Sequence, residues 1–318
     1  MRFKVFAASV HGKKYFERGW PCQDSSSVLE FAGVQAIAVA DGHGGKDYFR
    51  SDIGSRLAVK VAFEQIKIFC QNILEGESFS EAGIKNFEFK VCEEWTAAVK
   101  KHWAENPVRA EEIRWQTVSD KYKARFASDE NYIPVAYGTT LLCAVSIGAQ
   151  VLLVQIGDGS CVVWQRNGEF KVPVPPDSDN VFNVTSSLCD SDAVSKFRHA
   201  VLDCDENSPH APVAIFLSTD GLDDCYPIFE NEQWFCKLYA DAIIDSMICN
   251  GLSVTADAVK NELLPHMTEH GSNDDISLAY LVAGDLNLLL RSRTVYLAEK
   301  AREKFLPRWL EERGKKND

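Results

Sequence analysis

Apolar residues along the chain fall into two different spacings. Short runs that stay apolar or alternate, "FKVFAASV" (3–10), "SSVLEF" (26–31) and "VQAIAVAD" (34–41), read as strands parted by Gly-containing turns, and their succession predicts a meander. From Asp47 to about Ile73 the spacing changes. Ile53, Leu57, Val61, Phe63, Ile66 and Ile68 recur at helical intervals, and Val91, Trp95, Ala98 and Val99 repeat this between Phe87 and Trp103, so two long amphipathic helices follow. The stretch 104–135 is charged and mixed. It reads most simply as a solvated helix and loop, with a lid or substrate-docking role as the alternative. Strands return in "GTTLLCAVSIG", "AQVLLVQIGDGSCVVWQ", "GEFKVPV" and "VAIFLSTDG". Asn167-Gly168 marks a tight hairpin, whose favoured turn needs positive φ at both central residues. No element is assigned between 175 and 210. Residues 231–268 read as helical, with Trp234, Leu238, Ile243, Met247 and Ile248 on one side, and "DDISLAYLVA" (274–283) is a last strand.

This order of strands, two helices, strands, helices and strand predicts an α+β layered domain rather than a βαβ repeat. It is placed at 1–285. After Asp285 the chain turns polar, then spaces Leu297, Ala301, Phe305 and Trp309 by four. Residues 286–318 are therefore expected to form an amphipathic helical extension, bent near Pro307, which either packs on the domain or serves a partner or self-association.

Composition changes the picture in two respects. The 34 basic and 46 acidic residues leave a net charge of −12, which disfavours nucleic acid and anionic membrane surfaces and suits a site that binds cations. The ten cysteines form no CxxC pair and mostly sit in apolar stretches, as Cys143 and Cys161 do, so they are read as reduced structural thiols in a cytoplasmic protein. Neither a signal-type apolar segment nor a membrane-length apolar window is present in the sequence.

Aspartates recur at strand ends. Asp41 follows "AIAVA", Asp158 follows "VLLVQIG", Asp220, Asp223 and Asp224 follow "AIFLST", Asp274 and Asp275 precede "ISLAY", and Asp24 opens the second strand. Singly, each is ordinary turn chemistry. Brought to one sheet edge, they would repel one another by several kcal/mol, and cations would relieve that. Oxygen ligands without His or Cys partners select Mg²⁺ or Mn²⁺ over Zn²⁺. Gly42 would let a main-chain carbonyl approach an ion as closely as a side-chain oxygen does.

These motifs resemble the metal-dependent protein phosphatases, the protein phosphatase 2C family. "DGHGG" (41–45) is the most specific of them, and "QD" (23–24), "GTT" (138–140), "GDGS" (157–160), "STDGLDD" (218–224) and "NDDIS" (273–277) stand in the family's order. "PCQDS", "GDGS" and "DDISLA" look more like its bacterial branch. The resemblance implies a four-layer sandwich of two antiparallel β-sheets flanked by α-helices. It implies two Mg²⁺ or Mn²⁺ ions, bridged by Asp41, with the Gly42 carbonyl on one and Asp220 and Asp274 completing the other. Asp224 matches the position of a third, weaker ion. Asp24 would hold water at the metals, and His43 would be the general acid for the leaving alcohol. The implied activity is hydrolysis of phosphoserine or phosphothreonine in proteins by hydroxide bridging the two ions.

Two positions depart from the family's eukaryotic-like pattern. Gly19 stands where an arginine would grip the phosphate, which leaves Arg18, His11, Lys13 and Lys14 as nearby cations, of which Arg18 and His11 are taken as substrate-binding. Gln23 replaces an acid. Both departures motivate an alternative, a pseudophosphatase that binds a phosphoprotein without turnover. Thr139 and Thr140 are read as starting a strand and bonding locally, Asp158 as fixing a turn near the metals or as a plain turn residue, and Asp223 and Asp275 as neighbours of the ligands or solvated.

Overall fold

Strands buried on both faces need almost wholly apolar runs, and four strands here, Gln35, Ser146, Ser218 and Ser277 apart, meet that condition: β3 (Val34–Ala40), β4 (Leu141–Ile147), β9 (Pro212–Ser218) and β10 (Ile276–Ala283) are buried throughout. They form the centres of two sheets. In this computed structural model, which describes residues 2–76, 79–175, 177, 185–226 and 237–314 and side chains up to 305, each sheet has five antiparallel strands. One runs in the order β1 (Phe3–Val10), β10, β9, β6 (Ser160–Gln165), β7 (Phe170–Lys171), and the other in the order β2 (Ser25–Phe31), β3, β4, β5 (Gln150–Ile156), β8 (Arg198–Asp203).

Three apolar layers hold the sandwich together. Between the sheets lie Phe3, Ile37, Val39, Leu142, Leu153, Val163, Ile215, Leu217 and Leu281. The outer face of the β2–β8 sheet receives α2 (Ser51–Leu74) and α3 (Glu81–Glu105) through Ile66, Val91 and Trp95. The outer face of the other sheet receives the helical run 238–270 through Tyr239, Ile244, Met247 and Leu264. Two π-helical turns, Leu238–Ile244 and Val259–Leu263, lie within that run. The fold is therefore the expected α+β sandwich with helices on both outer faces.

Several local expectations change. The first three strands are not one meander: β1 pairs with β10 in one sheet, whereas β2 pairs with β3 in the other. The β6–β7 hairpin turns through Gln165–Gly168, closed by Gly168 N–H on the Gln165 carbonyl at 2.9 Å, and Gly168 (φ 80°) but not Asn167 has positive φ. It is a longer turn with one left-handed residue. The unassigned region contains α6 (Ala193–Lys196) and the edge strand β8. The stretch 104–135 is not simply solvated: between α4 (Ile113–Thr117), α5 (Asp120–Ser128) and the 3₁₀ turn Glu130–Tyr137, Trp115, Phe126 and Tyr132 pack with Phe49 and Trp103. Trp234 and the rest of 231–236 lie outside the described residues.

The terminal helix, numbered α11 (Leu286–Gly314) after three short helices within 245–270, begins earlier than the spaced stripe and runs past Pro307. It packs through Leu288, Leu289, Arg293 and Tyr296, while Leu297 and Phe305 stay 51% and 57% exposed. The side chain of Trp309 is outside the described residues.

Candidate active site

β3 ends at Ala40, and the main chain of the next residue is gripped from the neighbouring strand. Asp41 N–H donates to Thr140 Oγ1 at 2.9 Å, and the Asp41 carbonyl accepts from Thr140 N–H and Thr139 Oγ1, both at 2.8 Å. The two threonines of "GTT" thus fix Asp41 besides bonding locally. Gly42 follows because a side chain would not fit: a Cβ there would lie 2.5 Å from the Gln23 carbonyl oxygen and 2.7 Å from that of Ser51. That contact of three main chains explains why the strand gives way to glycine.

Asp220 opens α7 (Asp220–Asp223) directly after β9. Its neighbour Thr219 is a junction that the sequence did not disclose. Thr219 N–H donates to the Ser277 carbonyl, Ser277 N–H donates to Thr219 Oγ1, and that hydroxyl donates to Asp24 Oδ2 at 2.7 Å. One side chain so joins the end of β9, the start of β10 and the carboxylate before β2.

The result is a trio: carboxylate oxygens of Asp41, Asp158 and Asp220 all lie within 4.8 Å of one another. Burial pushes Asp41 well above the usual carboxylate range, and the charges of Asp220 and Asp24 add to the shift. Burial and the charge of Asp158 raise Asp220 to about 6, and burial with Asp275 and Asp220 raises Asp24. The charges that lift Asp41 and Asp220 are thus those of other carboxylates. An all-oxygen donor set under mutual repulsion is what a hard divalent cation relieves, so these residues fit Mg²⁺ or Mn²⁺.

The remaining acids divide. Asp274 lies outside the trio and pairs with Lys14 Nζ at 2.6 Å, although its charge still acts on Asp220 and Asp224. Asp224 is exposed. Asp275 is not solvated: it is 3% exposed and accepts from Gly12 N–H at 2.6 Å and Gln23 N–H at 2.7 Å. Asp223 accepts from Ser160 Oγ, and Asp158 from Thr185 Oγ1.

His43 sits on the loop after Asp41, its N–H on the Gly138 carbonyl and its ring edge-on to Tyr48. Burial pushes its pKa below the ordinary histidine value. Arg18 is exposed and lies over Trp20, and His11 lies edge-on to Phe16; no side-chain hydrogen bond or ion pair among the described residues joins either to the trio. Sequence reasoning passed over Arg114, which is 4% exposed and donates to the His43 and Gly45 carbonyls. The only hint was an arginine set between Ile113 and Trp115.

Two antiparallel sheets that gather carboxylates from separate strand ends at one edge define an α+β sandwich with a cation-competent acid site. The protein phosphatase 2C family model matches residues 11–250, and the chain belongs to that family of phosphate-ester hydrolases. Solved structures with the same fold include the serine/threonine phosphatase Stp1 from Staphylococcus aureus (12% identity, TM-score 0.52, covering 89% of this chain and 96% of that one). PppA, described as a key regulatory component of T6SS in Pseudomonas aeruginosa, is similar at 16% identity and TM-score 0.51, covering 89% and 98%. A C. elegans sex determining protein matches at 14% identity and TM-score 0.54, covering 93% of this chain and 68% of that one. Among curated proteins no sequence matches the chain.

Proposed function

We propose that the protein is a Mg²⁺- or Mn²⁺-dependent phosphatase acting on phosphoserine or phosphothreonine in proteins. The observation that carries this reading is the close approach of Asp41, Asp158 and Asp220 at the edge of the sandwich. Asp41, the Gly42 carbonyl, Asp220, Asp274 and Asp224 are assigned to two ions and a weaker third, with Asp158 joining them by position. Divalent ions there would lower the pKa of water and neutralise phosphate charge. Asp24, fixed by Thr219, orients solvent at the site, and His43 delivers a proton to the leaving alkoxide. His11 and Arg18 are assigned to the substrate phosphate.

The catalytic domain is assigned to 1–285, with 286–318 as a helical extension whose exposed Leu297 and Phe305 suit a partner or self-association. A reducing, cytoplasmic setting belongs to this reading. No described helix is long and apolar enough to cross a membrane.

Phosphate release from phosphoserine and phosphothreonine peptides, measured with and without Mn²⁺, tests the reading. Metal-dependent release that Asp220→Asn abolishes is the expected result. A second reading, a phosphoprotein-binding pseudophosphatase, is favoured by Gln23, which replaces an acid, is 1% exposed and leaves its Nε2 without a partner. Peptide binding with no release in saturating Mn²⁺ would select it.

A further inference from the structure

The turn that begins α1 (Lys13–Phe16) is pressed onto the start of β10. Gly12 N–H donates to Asp275 Oδ1 at 2.6 Å, and Lys14 N–H donates to the Asn273 carbonyl at 3.1 Å. A Cβ on Gly12 would lie 2.2 Å from the Asp274 carbonyl carbon, so glycine is needed for this approach. Bonds from this turn's main chain to the residues on both sides of Asp274 therefore deliver the lysine to it. Lys14 Nζ meets Asp274 Oδ2 at 2.6 Å, with 37% and 27% of the two side chains exposed, and lies 4.5 Å over the Tyr15 ring. The charges facing the ammonium from the packed elements are Asp274, at the start of β10, and Asp224, at the end of α7. Asp274 is the one assigned ligand carboxylate before β10, and it lies outside the trio of Asp41, Asp158 and Asp220.

We infer that Lys14 is a tethered cation occupying the cation position of Asp274, so that the acid edge holds two unequal seats. One, at Asp41, Asp158 and Asp220, is open to a divalent ion. The other, at Asp274, admits a divalent ion on Oδ2 only when the ammonium leaves, because the ammonium already covers that oxygen and two cations crowded onto it repel. The lysine stem is flexible and its pair is partly solvated, so displacement is feasible but costs affinity. The inference rests on the proposed metal dependence and adds to it an order of filling.

The test is Mn²⁺ binding to the full chain, by isothermal titration calorimetry with bound ions counted by electron paramagnetic resonance. The wild-type protein is expected to show tight binding at the trio and a weaker site at Asp274. Lys14→Gln should strengthen the weaker site about five- to tenfold and leave the tight one unchanged. Lys14→Arg, which keeps the charge, should not strengthen it. On an Asp274→Asn background the weaker site should be lost and Lys14→Gln should restore nothing. A weaker-site affinity that Lys14→Gln leaves unchanged, or a gain that survives Asp274→Asn, overturns the inference while the metal-dependent reading stands. Absence of any Mn²⁺ binding overturns both.

Discussion

Arg114 Nη2 donates to the main-chain carbonyls of His43 and Gly45, at 3.3 and 3.2 Å, and its Nη1 donates to Ser51 Oγ at 2.8 Å. Among the described residues no carboxylate hydrogen-bonds this buried guanidinium; its partners there are neutral oxygens and the Trp20 ring, 4.9 Å away, and burial lowers its pKa to about 10. Arg114 therefore latches α4 to the loop that follows Asp41. Arg114→Met would leave the buried Ser51 hydroxyl and the less buried His43 and Gly45 carbonyls without this donor. A loss of about 2–4 kcal/mol in urea unfolding is expected, together with a lowered kcat. Arg114→Lys should not restore either, because one ammonium cannot span three acceptors spread over two segments. Wild-type stability in Arg114→Met would show that the latch does not hold the loop.

Repulsion within the trio makes metal-free protein less stable than its packing allows. Mn²⁺ at about a hundred times its dissociation constant should add about 2.7 kcal/mol. Asp41→Asn should raise the metal-free Tm by about 2–4 °C by removing one like charge, and should abolish most of the Mn²⁺-induced rise. Differential scanning calorimetry with and without Mn²⁺ reads both effects. A lowered metal-free Tm in Asp41→Asn would mean that the carboxylates do not strain the fold.

Glu112 holds Arg50 through two bonds, Nη2 to Oε1 at 2.7 Å and Nε to Oε2 at 3.1 Å. Burial opposes its ionisation, but the bonds from Arg50 and from Arg109 N–H outweigh it and keep its pKa below the usual value. The folded pKa is thus below the unfolded one. The stabilisation is present above the unfolded value, about 4.3, and is lost as pH falls through the folded one. Urea midpoints from pH 6 down to 3 should fall more steeply for wild type than for Glu112→Gln. Parallel curves would remove this pair from the acid response.

Much of this arrangement was legible because strands buried on two faces cannot avoid long apolar runs, as "VQAIAVA" and "ISLAYLVA" show. The ordered aspartate motifs were equally plain. What the chain order could not convey was partnership across distance. β1 leaves its neighbours for β10 at the other end of the chain, and nothing in "FKVFAASV" names that partner. β8 was missed because an edge strand with alternating exposure, "RHAVLD", carries little apolar signal. Thr219 and Arg114 act through hydrogen bonds to remote segments, for which no periodicity exists. Asp158 enters the trio only because the β5–β6 turn lies beside β9, while Asp274 is drawn to Lys14.

α11 was legible as a helix but not in how it docks. The evenly spaced Leu297, Ala301 and Phe305 left open whether the helix packs on the domain, and its buried residues, Leu288, Leu289, Arg293 and Tyr296, precede that stripe, with Arg293 also bonding Asp241 at 2.8 Å and Asp245 at 2.6 Å. A chain ended at Asp285 would lose Leu288 and Leu289, each contributing about 2 kcal/mol, and this ion-pair network. It should unfold at a markedly lower urea concentration than the full chain. An unchanged midpoint would make residues 286–318 dispensable for the domain.

The account stands most directly on hydrolysis of an aryl phosphate by the purified full chain, with Mn²⁺, with excess chelator, and in Asp41→Ala. Turnover that appears with Mn²⁺, vanishes in chelator and falls by at least about a thousandfold in Asp41→Ala is the expected result. Turnover that persists in chelator, or that survives in Asp41→Ala, would contradict a carboxylate-held divalent ion as the source of catalysis.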